Sequence, residues 1–501
     1  MAKIIPMFGS STRGKSSTIT AQRRVNCYYE NRPDGDKSKI VVLGTPGLLQ
    51  YGLGGSSPIR GILGTTVTSS ILTGLFCVLG TQVFGSISPP KASPGAFTFT
   101  AANALATSTG LVSMAYQPNQ IVITDGQNGY LLTILSSGMS VAPISPWQAT
   151  GARTVTFVSG FFVAEEPGTQ KFWVSNFGDG STWGSLAFAS ASAYSDNILA
   201  VDNLLGNLIL FCQYHTEFWQ DIGTVPQPFA PLLAAVNEYG LAAIWSRAHV
   251  DQSLMFLAQT RTGAVQCVQI SGYNANVISD ADMDSIWNDF TTVSDAVALS
   301  YEVGQHKFYQ LSFPTMNRSF LYDASTRVWS EVQSGVSEIP TRHTANLSTV
   351  WAGGSYLTDY QTGTVYTQSD LTYTDNGAPI LREIISRHVL SNFNRMRISF
   401  VYFDMEVGTT IPYQMGSAYY YPSGRPAMVM FQYSWDNGRN WSKERWISLG
   451  MDGQYRQRVT LRRLRSARDF VFKLRMTDPV KWVITEGAIK MSERPPAEKL
   501  G

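Results

Sequence analysis

Residues 154–175, TVTFVSGFFVAEEPGTQKFWVS, and residues 197–221, NILAVDNLLGNLILFCQYHTEFWQD, read as two hairpins in succession. Each holds two runs rich in Val, Ile, Phe and Trp, long enough for strands and joined by short polar or Gly-containing turns. Between them lies NFGDGSTWGSLAFASASAYSD. No helical period competes. Working outward, the same unit recurs. Comparable turns fall near Gly74, Asn119, Gly160, Gly206, Gln252, Gly304 and Gly353, at spacings of 45, 41, 46, 46, 52 and 49 residues. Multi-stranded repeats of ~40–50 residues mark a β-propeller, here of six or seven blades over residues 51–380.

From residue 381 the composition shifts. Residues 381–501 hold 20 Lys and Arg against 11 Asp and Glu, residues 1–40 hold 8 against 3, and residues 41–380 hold 10 against 22. A basic leader, an acidic body and a basic tail end imply different neighbours for each part. In DFVFKLRM, Phe470, Phe472, Leu474 and Met476 share one face while Lys473 and Arg475 take the other, the period of a half-buried strand. The tail end therefore reads as an antiparallel β-sandwich. Arg456, Arg458, Arg462, Lys473 and Arg475 are expected on its basic outer face as an interface. Residues 410–427 read as an insertion.

The motifs favour architecture over catalysis. Ser434, Asp436, Gly438 and Trp441 match the Asp-box turn of sialidases and other propellers, and Asp179 with Trp183 makes a similar turn. Asp and Gly stabilise such turns and the Trp covers them. Gly9 to Ser16 satisfies G-x-x-x-x-G-K-[ST], but Pro6 breaks the strand before it and no apolar stripe follows, so no nucleotide site is expected. Residues 1–50 are taken as an extended basic arm with a first strand, docking on a neighbour. The acidic run 280–289 reads as a solvated loop, and acid on a channel wall would let DNA slide without sticking. Cys27, Cys77, Cys212 and Cys267 are far apart and, like the scattered histidines, suggest neither disulfides nor a metal. With no export signal and no run of ~18 apolar residues, a soluble chain made in the cytosol is expected.

Three places resemble the tail hub or nozzle proteins of short-tailed phages, also called packaged-DNA stabilisation proteins. They are RVNCYYE (24–30) with VVLGTPGLLQYG (41–52) and IRGI (59–62); GNLILFCQYHTEFWQDIG (206–223) with FLYDASTRVWSEV (320–332); and SWDNGRNWSKERWISLG (434–450) through residue 491. The resemblance implies a non-enzymatic virion protein without cofactors, assembled in the host cytoplasm. Its implied partners are its own copies in a ring of six, the portal or head-to-tail adaptor, a tail fibre, spike or needle, and double-stranded DNA in the lumen. The competing reading is a propeller that binds or hydrolyses glycans.

Overall fold

The computed structural model describes residues 2–5, 16–33, 38–65, 74–86, 99–101, 103–118, 120–135, 138–390, 394–415, 418–462 and 464–494. Seven antiparallel sheets follow one another around a ring, so the propeller has seven blades. Blades 1 to 6 take their strands from residues 59–100, 113–143, 155–190, 198–231, 240–277 and 297–332. Four of the seven turns read from the sequence, at Gly160, Gly206, Gly304 and Gly353, lie between the first and second strands of their blades, and Gln252 lies between Ala248–Val250 and Ser253–Gln259 of blade 5. Gly74 opens the second strand of blade 1, and Asn119 lies outside the described residues.

Blade 7 is built from both ends of the propeller. Ala345–Trp351, Gly354–Asp359 and Val365–Ser369 supply three strands, and Gly47–Gly52 pairs antiparallel with the last of them. The propeller thus draws on residues before 51, where its start was expected. Apolar clusters join each blade to the next: Phe76 to Ile121, Val122 to Phe162, Val163 to Leu210, Phe211 to Phe256, Leu257 to Tyr309, Phe308 to Leu357, and Trp351 back to Ile59. Burial of these side chains, worth roughly 1.5–3 kcal/mol each, closes the ring.

Blade 6 continues into the sandwich. Its last strand, Val328–Val332, pairs in parallel with Arg23–Val25, which leads to Arg382–Ile385, Asp469–Met476, Met428–Ser434 and Arg445–Ser448 in one ten-stranded sheet. The facing sheet contains Cys27–Asn31, Ile40–Gly44, Val483–Arg494, Arg395–Met405 and Val459–Arg462. Phe470, Phe472, Leu474 and Met476 all point into the core between the sheets, as their alternation required. Residues 23–31, expected in an arm reaching for a neighbour, are woven into the chain's own sheets. The reason is physical: Arg23–Val25 fills the gap between blade 6 and the sandwich. Residues 410–427 contain a hairpin, Thr410–Met415 with Ala418–Pro426, that forms a two-stranded ribbon of its own.

The run 280–289 is not a loop. Ala281–Asn288 is an α-helix (α1) capped by Asp280, whose carboxylate accepts the Met283 N–H at 2.9 Å. Met283 and Trp287, one turn apart, are fully buried between blades 5 and 6.

Candidate functional site

The open side of the sandwich is where the expected basic residues gather. Val459–Arg462 and Arg445–Ser448 are the last strands of their respective sheets, each paired on one side among the described residues. The Arg445 guanidinium spans the gap, donating from Nη1 to the Arg462 carbonyl at 3.3 Å. Arg456 and Arg458, on the connection between these strands, and Arg462 are exposed. Arg439, Arg465 and Arg468 are also exposed, and the Arg465 guanidinium lies 4.6 Å from the Trp435 ring centroid. Trp446, 59% exposed, and Tyr455, 71% exposed, stand among them. Arginines interleaved with exposed aromatics and open strand edges form a surface suited to carboxylates and to partner strands.

Sequence reasoning named only part of this surface. Residues 439–468 carry nine Lys and Arg against two Asp and Glu, a density that would have pointed to Arg439, Arg445, Arg465 and Arg468 as well.

Lys473 and Arg475 belong elsewhere. They lie on the outer face of the ten-stranded sheet, and Arg475 is buried, ion-paired with Glu338 and Glu444. The loop after blade 6 brings Glu338 over that face, so no open basic face exists there. Lys473 Nζ sits 4.1 Å from the Trp441 ring centroid, and Trp441 packs against Ala21, Ile385 and Val471.

Both Asp turns are closed upon themselves. Ser434 Oγ donates to Asp436 Oδ1 at 2.7 Å and accepts the Gly438 N–H at 2.9 Å, while Asn440 donates to both Asp436 oxygens. Gly438 has φ +78°, a conformation that favours glycine. Burial raises the Asp436 pKa, but hydrogen bonds led by the Asn440 backbone N–H outweigh it and hold the carboxyl below the usual range. Asp179 Oδ1 accepts from the Ser181 N–H and hydroxyl, and buried Trp183 donates to the Gly180 carbonyl at 2.9 Å. These carboxylates are occupied by their own turns.

The inner strands of blades 1 to 5 line a cavity of about 640 Å³, with Leu63, Met114, Tyr116, Phe157, Asp202, Arg247 and His249 in its wall. Asp202 pairs with Arg247 at 2.8 Å and His249 at 3.0 Å. Its charges pair with one another, and Ser113, Gln117, Thr156 and Asn203 add polar groups to an otherwise apolar lining. Its volume falls in the ~300–1,000 Å³ range of small-molecule pockets.

A larger cleft of about 1260 Å³ separates blades 6 and 7 from the sandwich. Two pairs of its charges meet, Glu30 with Arg32 at 2.6 Å and Glu406 with Lys481 at 3.7 Å, and Asp370 and Arg382 line it as well. Gly9 to Lys15 of the phosphate-loop pattern lie outside the described residues. All four cysteines are free and buried. No helix among the described residues is long and apolar enough to cross a membrane.

Two family models match the chain. One, described as "Bacteriophage P22 Gp10, beta-propeller", covers residues 5–370; the other, "Bacteriophage P22 Gp10, beta-sandwich", covers residues 384–492. No curated protein matches. Solved structures with similarity include "YCF48 bound to D1 peptide", at 11% identity and TM-score 0.40 over 65% of this chain and 99% of that one. Others are "YCF48 from Cyanidioschyzon merolae" at 11% identity and TM-score 0.40, over 64% and 98% of the two chains, and the computationally designed Ika8 protein at 11% and 0.36, over 64% and 99%.

Proposed function

The chain belongs to the bacteriophage P22 Gp10 family, a family of phage structural proteins, and from that premise we propose that it forms the hub or nozzle of a short tail. In this reading it assembles as a ring, a hexamer, below the portal or head-to-tail adaptor, retains packaged DNA and conducts it at ejection. The carrying observation is the order and extent of the two family matches, which together cover nearly the whole chain.

In this reading the lumen is formed between subunits. Closed cyclic symmetry then needs a head-to-tail contact in which two different faces of the subunit meet. The basic edge with Arg456, Arg458 and Arg462 is one of those faces. A fibre, spike or needle occupies the end of the ring away from the portal. The experiment is direct: phage particles lacking the protein should form filled heads that leak DNA, and the purified or particle-bound protein should give a hexamer by native mass spectrometry or cryo-EM. Heads that keep their DNA without it, or a strict monomer in assembled tails, would overturn this function. A glycan-hydrolysing propeller has no specific support, because its Asp-turn carboxylates hold turns together.

A further inference from the structure

Blade 4 gathers three ligand atoms from two loops. Cys212 ends its second strand and His215 precedes its third, across a two-residue turn closed by the Cys212 N–H donating to the His215 carbonyl at 2.9 Å. Asp196, just before the first strand, is positioned by the Tyr214 N–H, which donates to Oδ2 at 2.7 Å. An Asp196 carboxylate oxygen, Cys212 Sγ and a His215 ring nitrogen all lie within 4.8 Å of one another. Cys212 and His215 are fully buried.

The other side of the imidazole is fixed. His215 Nε2 lies 2.9 Å from Glu217 Oε1. The Glu217 carboxylate accepts in addition from the Ser192 and Ala193 N–H groups and from Trp219 Nε1 at 2.9 Å. A carboxylate held there keeps the proton on Nε2 and leaves Nδ1 with its lone pair, the arrangement that second-shell carboxylates impose on metal-bound histidines.

Nδ1 in turn lies only 2.6 Å from Asp196 Oδ1. Neither buried atom has another hydrogen-bond partner among the described residues. A ring nitrogen and a carboxylate oxygen so close need positive charge between them, carried by a second proton on the ring or by a metal ion that a third ligand can also reach. Cys212 Sγ is that third ligand.

We propose that Asp196, Cys212 and His215 form a binding site for a divalent transition-metal ion. The one His, one Cys and one carboxylate suit zinc, with a fourth position left for water. Tetrahedral zinc with ~2.0–2.2 Å bonds to nitrogen and oxygen would set Nδ1 and Oδ1 apart by roughly 0.7 Å more than here. On binding, the Cys212 thiol releases its proton to solvent and the thiolate joins the metal. The ion would staple the link between blades 3 and 4 to the blade 4 hairpin, whatever the role of the assembled ring.

The test uses the full-length chain. Purified without chelator, it should carry about one zinc per chain by elemental analysis. Stripped and titrated with Co²⁺, it should develop a thiolate-to-cobalt charge-transfer band that is absent in Cys212→Ser and kept in Cys77→Ser. Glu217→Gln, which removes only the outer support, should weaken cobalt binding about 10–100-fold. A stripped wild-type chain that takes up neither ion and melts at the same temperature in chelator and in zinc would overturn the site. So would a Cys212→Ser protein that keeps the full band. The wild-type measurements decide the question even where a variant fails to fold.

Discussion

Arg23 sits where blade 6 and the sandwich meet. Its guanidinium donates to both oxygens of Glu331, at 3.2 and 2.9 Å, and to Glu383 at 3.2 Å. Arg318 also reaches Glu331, at 3.1 Å. Glu331 is on the last strand of blade 6 and Glu383 is in the sandwich, so one side chain ties the two parts. Arg23→Ala would leave two buried carboxylates short of a partner and should cost about 3–5 kcal/mol, read as a lowered denaturant midpoint. His343, between blades 6 and 7, makes a pH-dependent contribution. Its Nδ1 accepts the Ala345 N–H at 3.2 Å and faces Gln310 Nε2 at 3.3 Å, which requires the neutral ring. Burial first, and Arg342 second, push its pKa down to about 4. The unfolded chain, with a pKa near ~6.5, binds more protons between those values. The His343 contribution is therefore intact above about pH 6.5 and lost as pH falls toward 4. Urea midpoints at pH 7 and 4.5 should fall less in His343→Gln than in the wild type, and an equal fall in both would reject this account.

At the scale of elements, α1 separates what the sequence displays from what it hides. Trp287 is enclosed by Phe313, Phe320 and Trp329 of blade 6, with ring centroids 6.0, 5.7 and 5.2 Å away. Trp287→Ala should cost about 3–5 kcal/mol, measured by equilibrium unfolding, whereas a solvated loop would cost almost nothing. The blades were legible because each repeats the same signal, a strand, a Gly-containing turn and a second strand, so register accumulates along the chain. A single helix of two turns repeats nothing, and its five acids between 280 and 295 masked Met283 and Trp287. Its Asp280 cap and the acids of its first turn, favourable near a helix N-terminus, were the only sequence cues. Arg475 shows the opposite limit. Its outward position in the strand was correct, yet Glu338, 137 residues earlier, covers it, and strand alternation carries no information about loops that fold over a face. The closing strand Gly47–Gly52 was hidden likewise, because its partner Val365–Ser369 lies over 300 residues downstream. The Asp turns at Asp179 and Asp436 were readable because their bonds are local.

For the whole molecule, the ten-stranded sheet joins propeller and sandwich, and under the proposed function that decides which edges are open to a neighbouring copy. In that sheet five strand steps, about 4.8 Å each, separate the last strand of blade 6 from the outermost strand Arg445–Ser448. Arg445–Ser448 thus lies roughly 24 Å across the sheet from blade 6. Residues 41–380 carry 22 Asp and Glu against 10 Lys and Arg, so the proposed ring would set the basic edge of one copy against the acidic body of the next. That is the condition for a head-to-tail contact between copies. Arg456, Arg458 and Arg462 are exposed, so replacing all three by Glu should leave the melting temperature nearly unchanged, since substitutions at such surface sites usually shift stability by under about 0.5 kcal/mol each. The same triple variant should lose the hexamer in native mass spectrometry and give heads that leak DNA. Raising the salt concentration should weaken wild-type rings in the same direction, because exposed charges are screened over about 10 Å at 0.1 M. A triple variant that still forms rings would move the contact to another face and leave the ring itself standing, whereas a monomeric wild type in assembled tails would remove the ring.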